Sequence, residues 1–258
     1  MAHEKPIMQI VNDQKNDPIS IMHAIDGFYE CPKDQGGKRL GPLVTYAGKY
    51  PLPDQTEKAY VGDIYINFAK AEEHPTLVHY FATQLKREIS PALLEKITVF
   101  IGPQMGGIAL ALMLALVCTK RYACAEKKVK KARSEKEREE TNLAFARHSI
   151  RKGDVTVIVE DVLNNFSTTE KTITEIEKNG GTVVAIVGAF NRSPSVKTEF
   201  KHGEQTIPVY SLWQKPFVEY VQEDPAVYAD IKDGNIVTQT KDEWPILMQA
   251  MRDAKVLV

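Results

Sequence analysis

Three stretches of this chain are apolar almost without interruption: "ITVFI" at 97–101, "VTVIV" at 155–159 and "TVVAIVGAF" at 182–190. A strand with one wet face alternates polar and apolar residues, whereas a continuous apolar run is buried on both faces. The segments between these runs have helical period. "HPTLVHYFATQLKREI" (74–89) sets Leu77, Tyr80, Phe81 and Leu85 on one face, with Pro75 suited to a first turn. A second helix opens near Gly106, and a third covers 168–179, stopping at Asn179-Gly180-Gly181. Strands that alternate with helices and are covered on both sides define an α/β protein with a mostly parallel central sheet flanked by helices. Ligands of such sheets bind at the carboxyl ends of strands. A further strand is read at 121–125, so the rule singles out the turns after Ile101, Cys124 and Val159.

The rest of the chain is read more coarsely. A short helix fits 19–25, and the Gly-, Pro- and Tyr-rich stretch 27–53 reads as short irregular strands and turns. "AYVGDIYINF" (59–68) alternates as a strand does, a further strand fits 207–212, and a terminal helix fits 243–252. "EKKVKKARSEKEREET" (126–141) is charged almost throughout, which reads as a solvated helix or a mobile loop.

A length of 258 residues suits one large α/β domain, or one with a smaller appendage. With 33 basic against 34 acidic side chains the chain has no net field to draw nucleic acid or an anionic membrane, and neither partner is expected. "IALALMLALVC" (108–118) is too short to span a bilayer and reads as a buried helix. The first residues lack the apolar run of a signal peptide. Three cysteines, Cys31, Cys118 and Cys124, form no CxxC pair and fit a reducing compartment, so a cytoplasmic protein is expected.

Chemistry gathers at the strand ends. After Val159 come two adjacent carboxylates, Glu160 and Asp161, then Asn164, Asn165, Phe166, Ser167 and Thr168 at the head of a helix. Ionised carboxylates only accept hydrogen bonds, so a pair of them suits a vicinal diol or a metal-bound ligand. The loop that follows supplies amides, hydroxyls and a helix N-terminus, the parts of a phosphate cradle. The plainer reading is a Ser/Thr helix cap beside two solvated acids. After Ile101, Gly102, Gln104, Met105, Gly106 and Gly107 make a tight turn into a helix, fit either to face an anion or to pack a strand closely on a helix. After Cys124 come Glu126, Lys127, Lys128, Lys130 and Lys131, cations able to fold over a polyanion and offset charge on a leaving group.

Together "VIVEDVLNNFST", "GPQMGGI" and "EKKVK" resemble the signatures of the type I phosphoribosyltransferases, and most of all the orotate branch. Ala47-Gly48-Lys49 and Tyr65-Ile66-Asn67 match that branch's N-terminal stretches more softly. The likeness runs over roughly residues 40–190. It implies a small N-terminal hood and base-binding region (1–70), a phosphoribosyltransferase-like core (71–215) and a C-terminal extension (216–258). It also implies transfer of a phosphoribosyl group from 5-phosphoribosyl 1-diphosphate to orotate, with Mg²⁺ held mainly by the substrate rather than by protein ligands, in a homodimer.

By the same likeness Glu160 and Asp161 hold the ribose hydroxyls, residues 164–168 hold the 5′-phosphate, and 102–107 face the pyrophosphate. Lys127 or Lys130 acts on the leaving group, and Lys49 and Tyr65 bind substrate. Three departures stand out. Phe166 occupies a glycine position, where a positive φ would be strained. Glu126 replaces a loop arginine, and Glu170, beside Lys171, stands where some orotate enzymes carry an arginine. A purine or other base as acceptor, or a non-catalytic binder of the same donor, remain the alternatives.

Overall fold

The computed structural model describes residues 5–54, 56–131 and 140–256, without the side chains of 127–131, 140–142 and 255–256. The chain opens with α1 (Ile7–Asp13), α2 (Pro18–Ala24), β1 (Phe28–Glu30), β2 (Leu43–Pro51), β3 (Glu57–Gly62), β4 (Ile64–Ile66) and α3 (Ala69–Glu72). It continues with α4 (Pro75–Glu88), α5 (Pro91–Lys96), β5 (Val99–Pro103), α6 (Gly107–Cys118), β6 (Arg121–Lys131), β7 (Glu140–Ala144), β8 (Val155–Leu163) and α7 (Ser167–Lys178). It ends with β9 (Thr182–Asn191), β10 (Glu199–His202), β11 (Gln205–Gln214), α8 (Pro225–Lys232), β12 (Ile236–Val237) and α9 (Trp244–Val256). Two compact units result, one built chiefly from Gln9–Ala71 together with the chain from Pro216 onward, the other chiefly from Glu72–Lys215.

The second unit carries a seven-stranded sheet in the order β10-β11-β9-β8-β5-β6-β7. Its five inner strands are parallel, and the edge strands β10 and β7 run antiparallel to their neighbours. The apolar runs sit in the middle: Val99, Phe100, Ile101, Val157, Ile158 and Val159 are fully buried. From β5 the chain steps through α6 to β6 on one side; from β8 it steps through α7 to β9 on the other. Right-handed crossovers in opposite directions set α6 and α7 on opposite faces of the sheet. The strand order therefore reverses between β5 and β8, and a crevice opens at their carboxyl ends, where open α/β sheets bind ligands.

Three readings of local structure change. Strand β8 does not stop at Val159 but carries the acids within it, because Glu160 and Val162 stay in register with Gly188 and Phe190 of the long strand β9. The charged segment after Cys124 is neither helix nor loop where described: β6 runs to Lys131 and pairs antiparallel with β7, Glu126 opposite Ala144 and Lys128 opposite Asn142. Residues 132–139 of that segment lie outside the described residues. Helix α6 is apolar all round but buried on one side only. Leu110, Ala111, Leu114 and Ala115 face inward while Leu112 and Leu116 are 49% and 66% exposed, since a helix lying on a sheet can cover only one stripe.

The first unit holds the two-stranded sheet β1-β4 and the three-stranded sheet β12-β2-β3. The stretch 27–53 thus contains one nine-residue strand, β2, in addition to short pieces. Residues expected as a C-terminal extension share this unit with the N-terminal region. Trp244, Leu247 and Met248 of α9 pack with Tyr29, Val44 and Tyr46, and the Trp244 indole donates to the Asp26 carbonyl at 2.8 Å. Arg39 links the two parts again, donating to Asp63 and, at 3.0 Å, to Asp230. Cys31, Cys118 and Cys124 are buried free thiols, each with its pKa pushed up by burial. Among the described residues no helix is long and apolar enough to cross a membrane.

Candidate active site

The crevice is built from two turns that touch. Strand β5 ends at Gly102-Pro103, and the chain bends through Gln104, Met105 and Gly106 into α6, with the Gln104 amide donating to the Ala125 carbonyl of β6 at 2.9 Å. The Gln104–Met105 peptide is cis, and the Met105 side chain is exposed. Three glycines in this turn stand where a side chain has no room. A Cβ on Gly102 would meet the Gly107 carbonyl group, one on Gly107 would meet the Val159 carbonyl oxygen, and one on Gly106 would meet the Asp161 carboxylate. Close packing of β5, α6 and β8 accounts for Gly102 and Gly107. Gly106 is different, because what lies over it is a charged side chain at the mouth of the crevice.

Across the crevice, Glu160 and Asp161 are half-buried. They are adjacent in a strand, so their side chains leave opposite faces of the sheet. Asp161 goes over the glycine turn. Glu160 goes toward α7, where the Thr169 hydroxyl donates to its Oε1 at 3.5 Å. Past Leu163 the loop turns on Asn165, whose Oδ1 accepts from the Ser167 amide at 3.0 Å. The amides that follow head α7, where the first N–H groups of a helix have no partner within it and the helix dipole favours an anion. Ser167 is exposed and Thr168 half-buried. The Asn164 Oδ1 is buried and, among the described atoms, has no hydrogen-bond partner.

Phe166 takes φ 62°, ψ 12°, the left-handed conformation that is strained for a residue other than glycine. Its side chain does not face the crevice. It is 4% exposed, stacked on Phe200 of β10 at 5.2 Å between ring centroids, with Lys197 Nζ 5.5 Å from its ring. Phe166 thus lends the loop its backbone only.

The remaining residues singled out in the sequence fall elsewhere. Lys49 is exposed on β2 opposite Ala59, and Tyr65 of β4 packs on Trp244 at 5.9 Å; both belong to the first unit. Lys127 and Lys130 lie on β6, and their side chains are outside the described residues. Glu126, at the loop-arginine position, is paired with Arg147, whose amide donates to it at 3.3 Å. Glu170 turns away to His202 at 2.8 Å. Thr169, Lys197, Phe200 and His202 also lie at this site, with no local sequence signal. The last three come from beyond β9, and no spacing ties them to the acid pair.

No family model matches the chain. It is 28% identical over 154 residues to the orotate phosphoribosyltransferase of Methanosphaera stadtmanae, covering 60% of this chain and 78% of that one. To the orotate phosphoribosyltransferase of Caldicellulosiruptor bescii it is 28% identical over 171 residues, 65% of this chain and 76% of the other. Solved structures with some likeness include the adenine phosphoribosyltransferase of Thermoanaerobacter pseudethanolicus (15% identity, TM-score 0.47, 65% of this chain and 95% of that one). The orotate phosphoribosyltransferase of Aeropyrum pernix is another (19% identity, TM-score 0.41, 66% and 87%). A doubly wound sheet whose switch point joins an acid pair to a glycine turn agrees with these sequence relatives, which are phosphoribosyltransferases. Both of these sequence relatives are orotate phosphoribosyltransferases.

Proposed function

We propose that this protein transfers the phosphoribosyl group of 5-phosphoribosyl 1-diphosphate to orotate, giving orotidine 5′-phosphate and pyrophosphate, in a cytoplasmic homodimer. The observation that carries the proposal is the Asp161 carboxylate lying against Gly106. It brings a diol-binding anion and an anion-binding turn into one crevice, as a sugar with hydroxyls beside a diphosphate demands. Asp161 accepts from the ribose hydroxyls, and Glu160, which leaves the strand on the other face, is assigned to them on the resemblance. The amides and hydroxyls of residues 164–168 take the 5′-phosphate, and the 102–107 turn takes the diphosphate. As the diphosphate leaves, positive charge grows at ribose carbon 1, and the acids stabilise it electrostatically without forming a bond.

Magnesium fits this donor set as an ion shared with the substrate. Among the described residues no cluster of three or more His, Cys, Asp or Glu could cage a metal. Hard carboxylate oxygens beside a polyphosphate site suit an ion that keeps several waters. When bound it would offset the charge of the diphosphate. Lys49 and Tyr65 are assigned to substrate on the resemblance, and Lys127 and Lys130 to the leaving group. Replacing both Lys127 and Lys130 by Ala is expected to lower kcat about 100-fold with KM changed less than about threefold. Steady-state kinetics checks this, and an unchanged kcat removes the lysines from the mechanism.

One observation favours a second acceptor, a purine: Glu170 is held by His202 and offers no cation to an orotate carboxylate. Phe166, by contrast, supports a working enzyme, since it adopts the left-handed angle that a glycine would supply. The purified protein with Mg²⁺ and the donor should consume orotate and release pyrophosphate in equal amounts. Pyrophosphate release with adenine but not orotate would establish the second reading. Donor binding without release on any base would remove catalysis altogether.

A further inference from the structure

Helix α7 grows directly from the phosphate loop, and a short edge strand lies along it. Strand β10 has four residues, Glu199–His202, paired antiparallel to β11. Residues two apart on a strand share a face, so Phe200 and His202 both point toward α7. Phe200 stacks on Phe166, the residue that caps the helix. His202 sits between two carboxylates of that helix, with Nδ1 2.8 Å from Glu170 Oε1 and Nε2 3.2 Å from Glu177 Oε2. Glu170 and Glu177 are seven residues apart, two turns along one helical face.

The pairing has a chemical consequence. A neutral imidazole carries one N–H, so it can donate to only one of these carboxylates while its other nitrogen faces the second, acceptor against acceptor. Only the imidazolium satisfies both. We infer that β10 is a strap on the phosphate loop, and that protonated His202 draws α7 and Phe166 into the arrangement that binds the 5′-phosphate, making donor affinity depend on pH. Phe200 and His202 are then positioning residues. The inference rests on the phosphoribosyltransferase reading of the loop.

The electrostatics agree. Burial pulls the imidazole pKa down, but the hydrogen bonds and charges of Glu177 and Glu170 outweigh it and hold the pKa above its ordinary 6.5. Among the described residues Glu170 and Glu177 are the charged groups that chiefly act on it: the register partner of His202 on β11 is the uncharged Gln205, and its neighbours on the hairpin are Lys201 and Glu204. A raised folded-state pKa means that the contribution of the strap is complete below the unfolded value. It fades as pH climbs through the folded one.

The experiment titrates 5-phosphoribosyl 1-diphosphate with Mg²⁺ into wild type, His202→Gln and Glu177→Gln from about pH 6 to about pH 8.5, a window that spans histidine ionisation. The donor's own phosphates titrate identically against all three proteins, so the differences isolate His202. Wild-type affinity should fall roughly two- to fivefold relative to His202→Gln across the window, with Glu177→Gln between them. By reciprocity, donor binding should raise the His202 midpoint followed by proton NMR in the wild type, a readout that survives even if His202→Gln fails to fold. Parallel pH profiles with an unmoved midpoint would overturn the strap while leaving the donor site intact. No heat at any pH in wild type would overturn both the donor site and the strap.

Discussion

Asp161→Asn is expected to reduce phosphoribosyl transfer by about 100-fold while leaving the circular dichroism spectrum and melting temperature near wild type. A hydrogen bond to a charged group contributes about 1.5–3 kcal/mol, and each 1.4 kcal/mol is tenfold in rate. The residue is half-buried at the mouth of a crevice rather than in the core, and asparagine keeps its shape, so the packing around it is preserved. The diagnostic companion is Gly106→Ala. Its added methyl would meet the Asp161 carboxylate, and Gly106 has φ −65°, an angle alanine adopts freely. Any loss in Gly106→Ala therefore comes from moving the carboxylate, not from the backbone. Both variants act on one contact, so the double variant should lose little more than Asp161→Asn alone. Isothermal calorimetry of donor binding and steady-state rates on all three proteins check this. Fully additive losses would show that the carboxylate and the glycine serve separate ends.

How far the sequence alone reaches is clear from these residues. The inner strands β5, β8 and β9 were legible because burial on both faces leaves a short apolar run rich in β-branched residues. The two turns were legible because glycines and paired acids are local. What failed was whatever depends on a neighbour distant in sequence. Lysine-rich residues 126–131 look solvated until β7 pairs with them. The strand β8 seems to end at the first charge until β9 holds it in register to Asn191. The closure of α9 onto Tyr29 and Tyr46 has no local signal either. Hydrophobic periodicity reports which face of an element is covered, not what covers it.

Phe166 shows the same limit from the other side, and its replacement by glycine is the sharpest test of the fold's own logic. Against the family's pattern Phe166→Gly looks like a repair, since glycine takes φ 62° without penalty. The packing points the other way. The ring is 4% exposed, stacked on Phe200, and part of the cluster that includes Ile158, Ile173 and Ile186. Truncating a buried Phe to Ala costs about 3–5 kcal/mol. Relief of the left-handed backbone returns only about 1 kcal/mol, and only to glycine. Phe166→Gly should therefore be destabilised by about 2–4 kcal/mol, and Phe166→Ala by about 1 kcal/mol more, because alanine keeps the strain and still leaves the cavity. Urea denaturation of the three proteins measures the order directly. A glycine variant as stable as wild type would mean that the aromatic stack contributes nothing. An alanine variant more stable than glycine would mean that the left-handed angle is not what distinguishes this position.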